Sequence, residues 1–329
     1  MTTRAIHGTG TGVPPLRRAL LLVCALLLVA AAGGAQEFKK TATAGFVFLE
    51  IPVTARVAAL GEATVALGGA DADGLFTNPA APGFTGKTHS LSVSYAPWFA
   101  EMRHYATSYA FNSEVGVFAA SAVVFDFGTM QRTQRASGQR VYETLGEFSA
   151  SAMSLGLTYA RILTDQFSFG VTVKYVREAV DTYSAGNVLF DGGVLYYTGL
   201  GSLRLAAAVQ NFGTEAKYKN DPFKMPTTFR LGLAGEVLGD HTSEYRLTAS
   251  VEATHPNDAD ERVNAGLEFA WNDMVVLRGG WKFFYDEETF SLGVGLRGGA
   301  NLPVGFDVAF ADYGRLGNIL RFTLHAGLE

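Results

Sequence analysis

The chain has 329 residues, of which 48% are hydrophobic and only 17% charged, with 38 glycines, one cysteine and a formal net charge of −5. This much apolar material excludes intrinsic disorder, and a single cysteine excludes a disulfide scaffold. The charged fraction lies well below the roughly 25% that is typical of soluble domains. The composition therefore favours a β-rich or membrane protein.

The first 35 residues are predicted to be a secretory signal peptide. Arg17 and Arg18 precede an apolar run over residues 19–32, and residues 33–35 supply the small side chains that a signal peptidase requires. The run is shorter than the roughly 20 residues of a membrane-spanning helix, so an N-terminal anchor is the less favoured alternative. Cleavage would remove three arginines and no acidic residue, which leaves a net charge of −8. Such an acidic exported chain excludes nucleic acid as a partner.

Residues 36–87 lack the regular alternation of the chain that follows them. Small side chains over residues 55–66 predict a short helix that can pack inside a barrel, and Asn78-Pro79 is a turn signal that would end the segment. We therefore expect residues 36–87 to form an N-terminal plug segment, with the barrel itself over residues 88–329.

Alternation of apolar and polar residues dominates the rest of the chain. Phe167, Phe169, Val171, Val173 and Tyr175 form one apolar face, and small or polar residues stand between them. About fourteen such segments follow residue 88, each about as long as a tilted transmembrane strand. No apolar run after the signal peptide approaches 20 residues, which excludes a helical membrane protein. The pattern predicts an all-β fold, a transmembrane antiparallel barrel; a soluble β-sandwich with a wet polar face is the alternative.

The connections between these segments differ in length. Those at residues 128–145 and 212–226 are long, whereas those at 112–114 and 272–273 are tight turns. Bacterial outer-membrane barrels combine short periplasmic turns, longer outer loops and an even strand number. The prediction is therefore an outer-membrane protein in contact with outer-membrane lipids and lipopolysaccharide.

Signals for catalysis or cofactor binding are weak. Residues 293–298 match a dinucleotide fingerprint by letter, but they lie within an alternating strand and no helix follows them. The six histidines are scattered without metal-ligand spacing. We therefore expect no enzyme activity, no cofactor and no metal.

Two predicted outer loops are candidates for binding a partner. Their polar and basic character makes them either plain exposed surface, in contact with lipopolysaccharide phosphates, or a docking surface for a partner protein. The candidate residues are Arg132, Arg135 and Arg140 in residues 131–142, and Lys217, Tyr218, Lys219, Phe223 and Lys224 in residues 216–225.

The N-terminal residues carry a family resemblance. They resemble the PorV/PorQ family of outer-membrane proteins, which itself is similar to the FadL-type barrels. The resemblance starts with a Gly-x-x-Phe-Leu-x-Ile opening at residues 45–51 and continues in Gln-Asn-Phe-Gly at residues 210–213. Between these lies the plug motif, formed by Arg56, Gly61, Asp71, Phe76, Asn78, Pro79 and Ala80.

This resemblance implies a fourteen-stranded barrel with the N-terminal segment folded into its lumen. PorV-like members act in type IX secretion, where they receive exported cargo proteins from a translocon and pass them on. FadL-like members instead pass hydrophobic small molecules through the barrel. For that alternative we expect an apolar pocket around Phe46, Phe48, Leu60 and Phe76.

Overall fold

The structure is a computed structural model that describes residues 43–68, 72–135, 141–240, 242–298 and 303–328. The predicted signal peptide lies outside these residues. The strands are β1 (His89–Pro97), β2 (Arg103–Ser113), β3 (Gly116–Arg135), β4 (Tyr142–Thr164), β5 (Phe167–Val180), β6 (Tyr183–Tyr197), β7 (Arg204–Phe212), β8 (Ala216–Lys217), β9 (Pro222–Phe223), β10 (Thr228–Leu238), β11 (Tyr245–Pro256), β12 (Arg262–Trp271), β13 (Val275–Phe283), β14 (Phe290–Arg297), β15 (Val304–Asp312) and β16 (Asn318–Leu328).

Within the described residues, fourteen of these strands form one closed antiparallel barrel, and β8 and β9 pair separately as a small hairpin. Neighbouring barrel strands are consecutive in sequence except where β7 pairs with β10, and the barrel closes between β1 and β16. His89 of β1 stands opposite Leu328 of β16. We call the end of the barrel that holds these two residues the proximal end, and the opposite end the distal end. The predicted fourteen-stranded barrel is confirmed.

Burial along the strands is the reverse of that in a soluble protein. In β1, Ser92 is 1% exposed, whereas the neighbouring Leu91 and Val93 are 42% and 46% exposed. The same order, with polar side chains inside and apolar side chains outside, recurs in β5 and β12. A lipid-facing barrel requires this order. The closed barrel and its apolar outer face rule out the soluble sandwich.

The helices are short and lie mainly before the barrel. One α-helix, α1 (Ala55–Ala59), is capped by Thr54, whose hydroxyl accepts a bond from the amide of Val57. It is shorter than expected because Gly61 and Glu62 both adopt left-handed backbone angles, with φ of 59° and 67°. The 3₁₀ helices are Val47–Glu50, Gly74–Phe76, Ala81–Phe84, Phe99–Glu101 and Gly314–Leu316. Among the described residues, no helix is long and apolar enough to cross a membrane.

One expected loop is largely strand. Residues 128–135 belong to β3 and residues 142–145 to β4. Most of the predicted loop at 128–145 therefore lengthens the hairpin that β3 and β4 form. The connection between β5 and β6 is likewise only residues 181–182. Polar residues alternate with apolar ones in both stretches, and a polar hairpin in water has the same local composition as a loop. Composition alone therefore does not distinguish a loop from an extended polar hairpin.

Candidate functional site

The N-terminal segment (residues 43–68 and 72–87) packs against inward-facing residues of the barrel wall. The carbonyl oxygen of Pro79 lies 2.1 Å from where a Cβ on Gly170 of β5 would be placed. On β13, a Cβ on Gly280 would lie 2.1 Å from the amide nitrogen of Gly61. Glycine in the wall thus lets the backbone of the segment approach two well-separated strands within van der Waals contact.

A buried ion-pair network joins α1 to the strands. The guanidinium of Arg56 donates to both carboxylate oxygens of Glu268, at 3.0 and 3.1 Å. Arg278 bridges Glu268, at 2.7 Å, and Asp307, at 2.8 Å. Both carboxylate oxygens of Asp307 also accept a bond from Arg297, and Oδ2 lies 2.6 Å from His325 Nε2. Paired in this way, the charges compensate one another away from water.

A second network lies at the next turn of the segment. Glu62 pairs with Lys282 at 2.5 Å and with Arg230 at 3.4 Å. Burial opposes ionisation of Glu62, but the ammonium of Lys282 and the guanidinium of Arg230 hold its pKa below the ordinary value. Lys282 also pairs with Glu288. The lumen therefore fixes Glu62 as a charged group.

Hydrogen bonds between side chains and backbone groups also join the segment to the wall. The carboxylate of Glu252 accepts bonds from the amides of Thr64 and Val65, both at 2.9 Å. Asn78, which is fully buried, donates to the carbonyls of Val65 and Val194. These bonds satisfy polar groups that could not stay buried without a partner.

The predicted plug motif is therefore largely in contact with the wall. Arg56 and Gly61 contact Glu268 and the backbone at Gly280, as described above, and Pro79 contacts Gly170. The carbonyl of Phe76 accepts a bond from Gln210 at 2.8 Å, and that of Ala80 accepts one from Ser168 at 2.9 Å. Asp71 lies outside the described residues.

Sequence reasoning missed four charged residues of the wall that take part in these networks. Glu268, Arg278, Lys282 and Asp307 stand at inward positions of alternating strands. Charged residues within otherwise small, alternating strands are the signal that marks them, because a charge on the lipid face would be strongly disfavoured.

The loop between β7 and β10 covers the start of the N-terminal segment. The Gly45 amide donates to the Lys224 carbonyl at 3.0 Å, and the rings of Phe46 and Phe223 lie 5.8 Å apart. Tyr218 donates to Glu178 at 2.5 Å. Tyr218 and Phe223 are half-buried, and only the predicted Lys217, Lys219 and Lys224 are exposed. The aromatic members of this predicted docking loop are thus engaged within the protein.

The other predicted docking residues lie on the hairpin of β3 and β4. Beyond the last pair of β2 with β3, Arg103 with Asp126, β3 continues to Arg135. Arg132 and Arg135 are exposed, although Arg132 pairs with Asp181 and lies 6.0 Å above the Phe148 ring. Arg140 lies outside the described residues.

A cavity of about 220 Å³ lies at the distal end, between the N-terminal segment and the wall. Its lining includes Glu50, Arg230, Arg262 and Tyr285, together with Trp98. The cavity expected around Phe46, Phe48, Leu60 and Phe76 is not the one found, because Phe46, Phe48 and Leu60 are at most 2% exposed and packed in apolar clusters. Among the residues that the structure describes, no group of three or more His, Cys, Asp or Glu could hold a metal ion.

Glu50 should make the protein less stable as the pH rises. Burial and the nearby carboxylate of Asp258 raise the pKa of Glu50 from 4.5 to about 7. The folded state therefore keeps a proton that the unfolded state loses, so the free energy of unfolding falls between about pH 4.5 and pH 7. Glu50→Gln removes this loss, and we expect it to raise the free energy of unfolding at pH 8 by on the order of 2 kcal/mol.

The measurement is urea unfolding in detergent at pH 5 and pH 8, monitored by tryptophan fluorescence. Glu143→Gln, at an exposed position, is the control. Parallel pH profiles for the wild type and Glu50→Gln would contradict the prediction.

Solved structures of transport proteins share this fold. The toluene transporter TbuX of Ralstonia pickettii matches with a TM-score of 0.59 and 14% identity, over 84% of this chain and 98% of that one. A FadL homologue of Pseudomonas aeruginosa matches with a TM-score of 0.56 and 12% identity, over 84% and 98% of the two chains. The toluene transporter TodX of Pseudomonas putida gives 0.54 and 12%, over 83% and 96%. Identities this low show the fold alone.

The class that the fold defines is therefore that of FadL-like β-barrels. The family model described as type IX secretion system protein PorV matches residues 34–256. The chain belongs to this family, so the predicted resemblance is confirmed, and the protein is an outer-membrane protein. A comparison with curated proteins finds no match. Family and fold are those of a secretion or transport barrel rather than of an enzyme class.

Proposed function

We propose that this protein is a non-enzymatic component of type IX secretion that binds exported proteins at the distal end of the barrel and hands them over. The observation that carries the proposal is the β3–β4 hairpin, whose residues 129–135 and 142–147 are exposed and extend beyond β2 and β5. A rigid wall that presents a projecting polar element suits recognition of another protein. Family membership makes a secretion translocon a natural second partner.

The N-terminal segment acts as a plug in this proposal. The two ion-pair networks and the bonds to Glu252 tie it to β10, β11, β12 and β13. A lumen filled in this way supports a role at the surface of the barrel rather than passage through it. Outer-membrane lipids contact the apolar outer face, and lipopolysaccharide contacts the basic residues at the distal end.

Uptake of hydrophobic small molecules is the alternative function, and the fold shared with the toluene transporters favours it. The lining of the cavity argues against it, since Glu62, Arg230 and Arg262 place charges around the space that such a molecule would occupy. An apolar solute gains little from a charged lining.

Charge reversal of the hairpin should release the partner. The double variant Arg132→Glu and Arg135→Glu is expected to lower the amount of co-purified secretion proteins at least tenfold, because it reverses the sign of the exposed strand. The measurement is affinity purification of the tagged protein from native outer membrane in mild detergent, followed by mass spectrometry.

The matched control is Lys217→Glu with Lys219→Glu, two exposed lysines on the neighbouring loop. If the lysine variant loses the partners and the arginine variant keeps them, the docking element is the loop and not the hairpin. If the wild type is recovered alone with a bound fatty acid or lipid, the alternative function replaces the proposal.

A further inference from the structure

Among the residues that the structure describes, the β3–β4 hairpin has a strand edge without a neighbour. On one side, β2 ends opposite Asp126, so within this part of the chain residues 129–135 of β3 pair only with β4. The register shifts between Asp126 and Thr129, and this bulge marks the point where the hairpin leaves the barrel. Seven residues of strand span about 23 Å, which is long enough to pair with a strand of ordinary length.

The direction of the backbone groups follows from one bond at the base of the hairpin. The carbonyl of Ser149 accepts a bond from the amide of Asp181, so the backbone groups of Ser149 face the β5 side. Ser149 is paired with Thr129. In an antiparallel pair, the backbone groups of two opposite residues either both face each other or both face away from each other, and this direction alternates along each strand. Because the groups of Ser149 face away from β3, those of Thr129 face away from β4. The amides of Thr129 and Gln131 therefore face the free edge of β3.

The two strands of the hairpin carry opposite charges. Residues 129–135 contain Arg132 and Arg135 and no acidic residue, whereas residues 142–149 contain Glu143 and Glu147 and no basic one. Arg135 has no acidic partner among the residues that the structure describes. The β4 edge is also the less open one, because Asp181 bonds to Ser149 at its base. A strand added beside β3 would meet a basic neighbour.

We propose that an extended, acidic segment of an exported protein adds to the free edge of β3 as a further strand. This inference rests on the proposed docking role and names how the partner is held. Main-chain bonds to the amides and carbonyls of the free edge supply affinity without a fixed sequence, and the arginines select acidic side chains. One edge could thus serve many exported proteins.

The test uses the full chain in detergent micelles and a fluorescent ten-residue peptide of alternating glutamate and valine, with binding read by anisotropy. Gln131→Pro removes an amide that faces the free edge, which an edge strand tolerates, and is expected to weaken binding at least tenfold. Glu147→Pro is the matched control, because Glu147 lies two residues from Ser149 and its amide faces the β4 edge. We expect it to bind the peptide like the wild type. Heat-modifiable migration on gels verifies that each barrel is folded.

Equal binding by Gln131→Pro and the wild type, or no binding of the peptide to the wild type, would overturn strand addition. Equal binding of a lysine-valine peptide would overturn the preference for acidic segments. If the wild type forms a dimer and Gln131→Pro dissociates it, the occupant of the edge is a second copy of the chain, and the proposal is overturned. The proposed function fails separately, if secretion proteins do not co-purify with the wild type.

Discussion

Asp307→Ala should lower the free energy of unfolding by about 3–5 kcal/mol, because it removes one partner of a buried charge network. The side chain of Asp307 is fully buried and pairs with Arg278, Arg297 and His325. Within the described part of the chain, Arg297 and His325 would then lose their acidic partner, and Arg278 would keep Glu268 alone. Urea unfolding of the detergent-solubilised protein measures the loss.

The control is Asp273→Ala. Asp273 pairs with Arg246, but its side chain is 53% exposed, and exposed pairs contribute at most about 1 kcal/mol. Equal losses for the two variants would show that the inner network adds nothing to stability beyond an ordinary surface pair.

Gly280→Ala should displace the N-terminal segment from the lumen. The new Cβ would lie 2.1 Å from the amide nitrogen of Gly61 and 2.3 Å from the carbonyl carbon of Leu60. Both are backbone atoms, so no side chain can rotate away, and overpacking of this kind costs about 1–3 kcal/mol. We expect a several-fold rise in ion conductance across planar bilayers and faster proteolysis within residues 55–68.

The neighbouring glycine provides a matched control. A Cβ on Gly279 would meet only Leu292, at 3.9 Å, because successive residues of β13 point to opposite faces of the wall. Gly279→Ala should therefore leave conductance and proteolysis as in the wild type. A closed lumen in Gly280→Ala would contradict the role of the segment as a plug.

The docking residues illustrate what local sequence does not resolve. Arg132 and Tyr218 both occur in polar stretches that predict exposed loops. In the structure Arg132 lies on a strand that extends past the barrel, whereas Tyr218 bonds to Glu178 and packs on Phe223. The difference depends on Glu178 and Phe46, which are distant in sequence, so no window around residue 218 contains the information.

The charge networks illustrate the same limit from the inside. Alternation places Arg230 and Glu252 on the inward face, and a charge there is expected to find a partner. The partner choice was not predictable, because Glu62 reaches Arg230 across 168 residues and Lys282 across 220. The ring closure of the barrel brings these residues together.

By itself, the sequence determined that the protein is an outer-membrane β-barrel, how many strands it has and which residues face inward or outward. The export signal stays a prediction. A period of two and a lipid-facing apolar side follow from local chemistry, because each strand must present one face to the bilayer. Only the tertiary structure decided which inward charges pair, where the cavity lies and which strand edge stays free. Those features depend on register and closure, which join residues that are far apart in the chain.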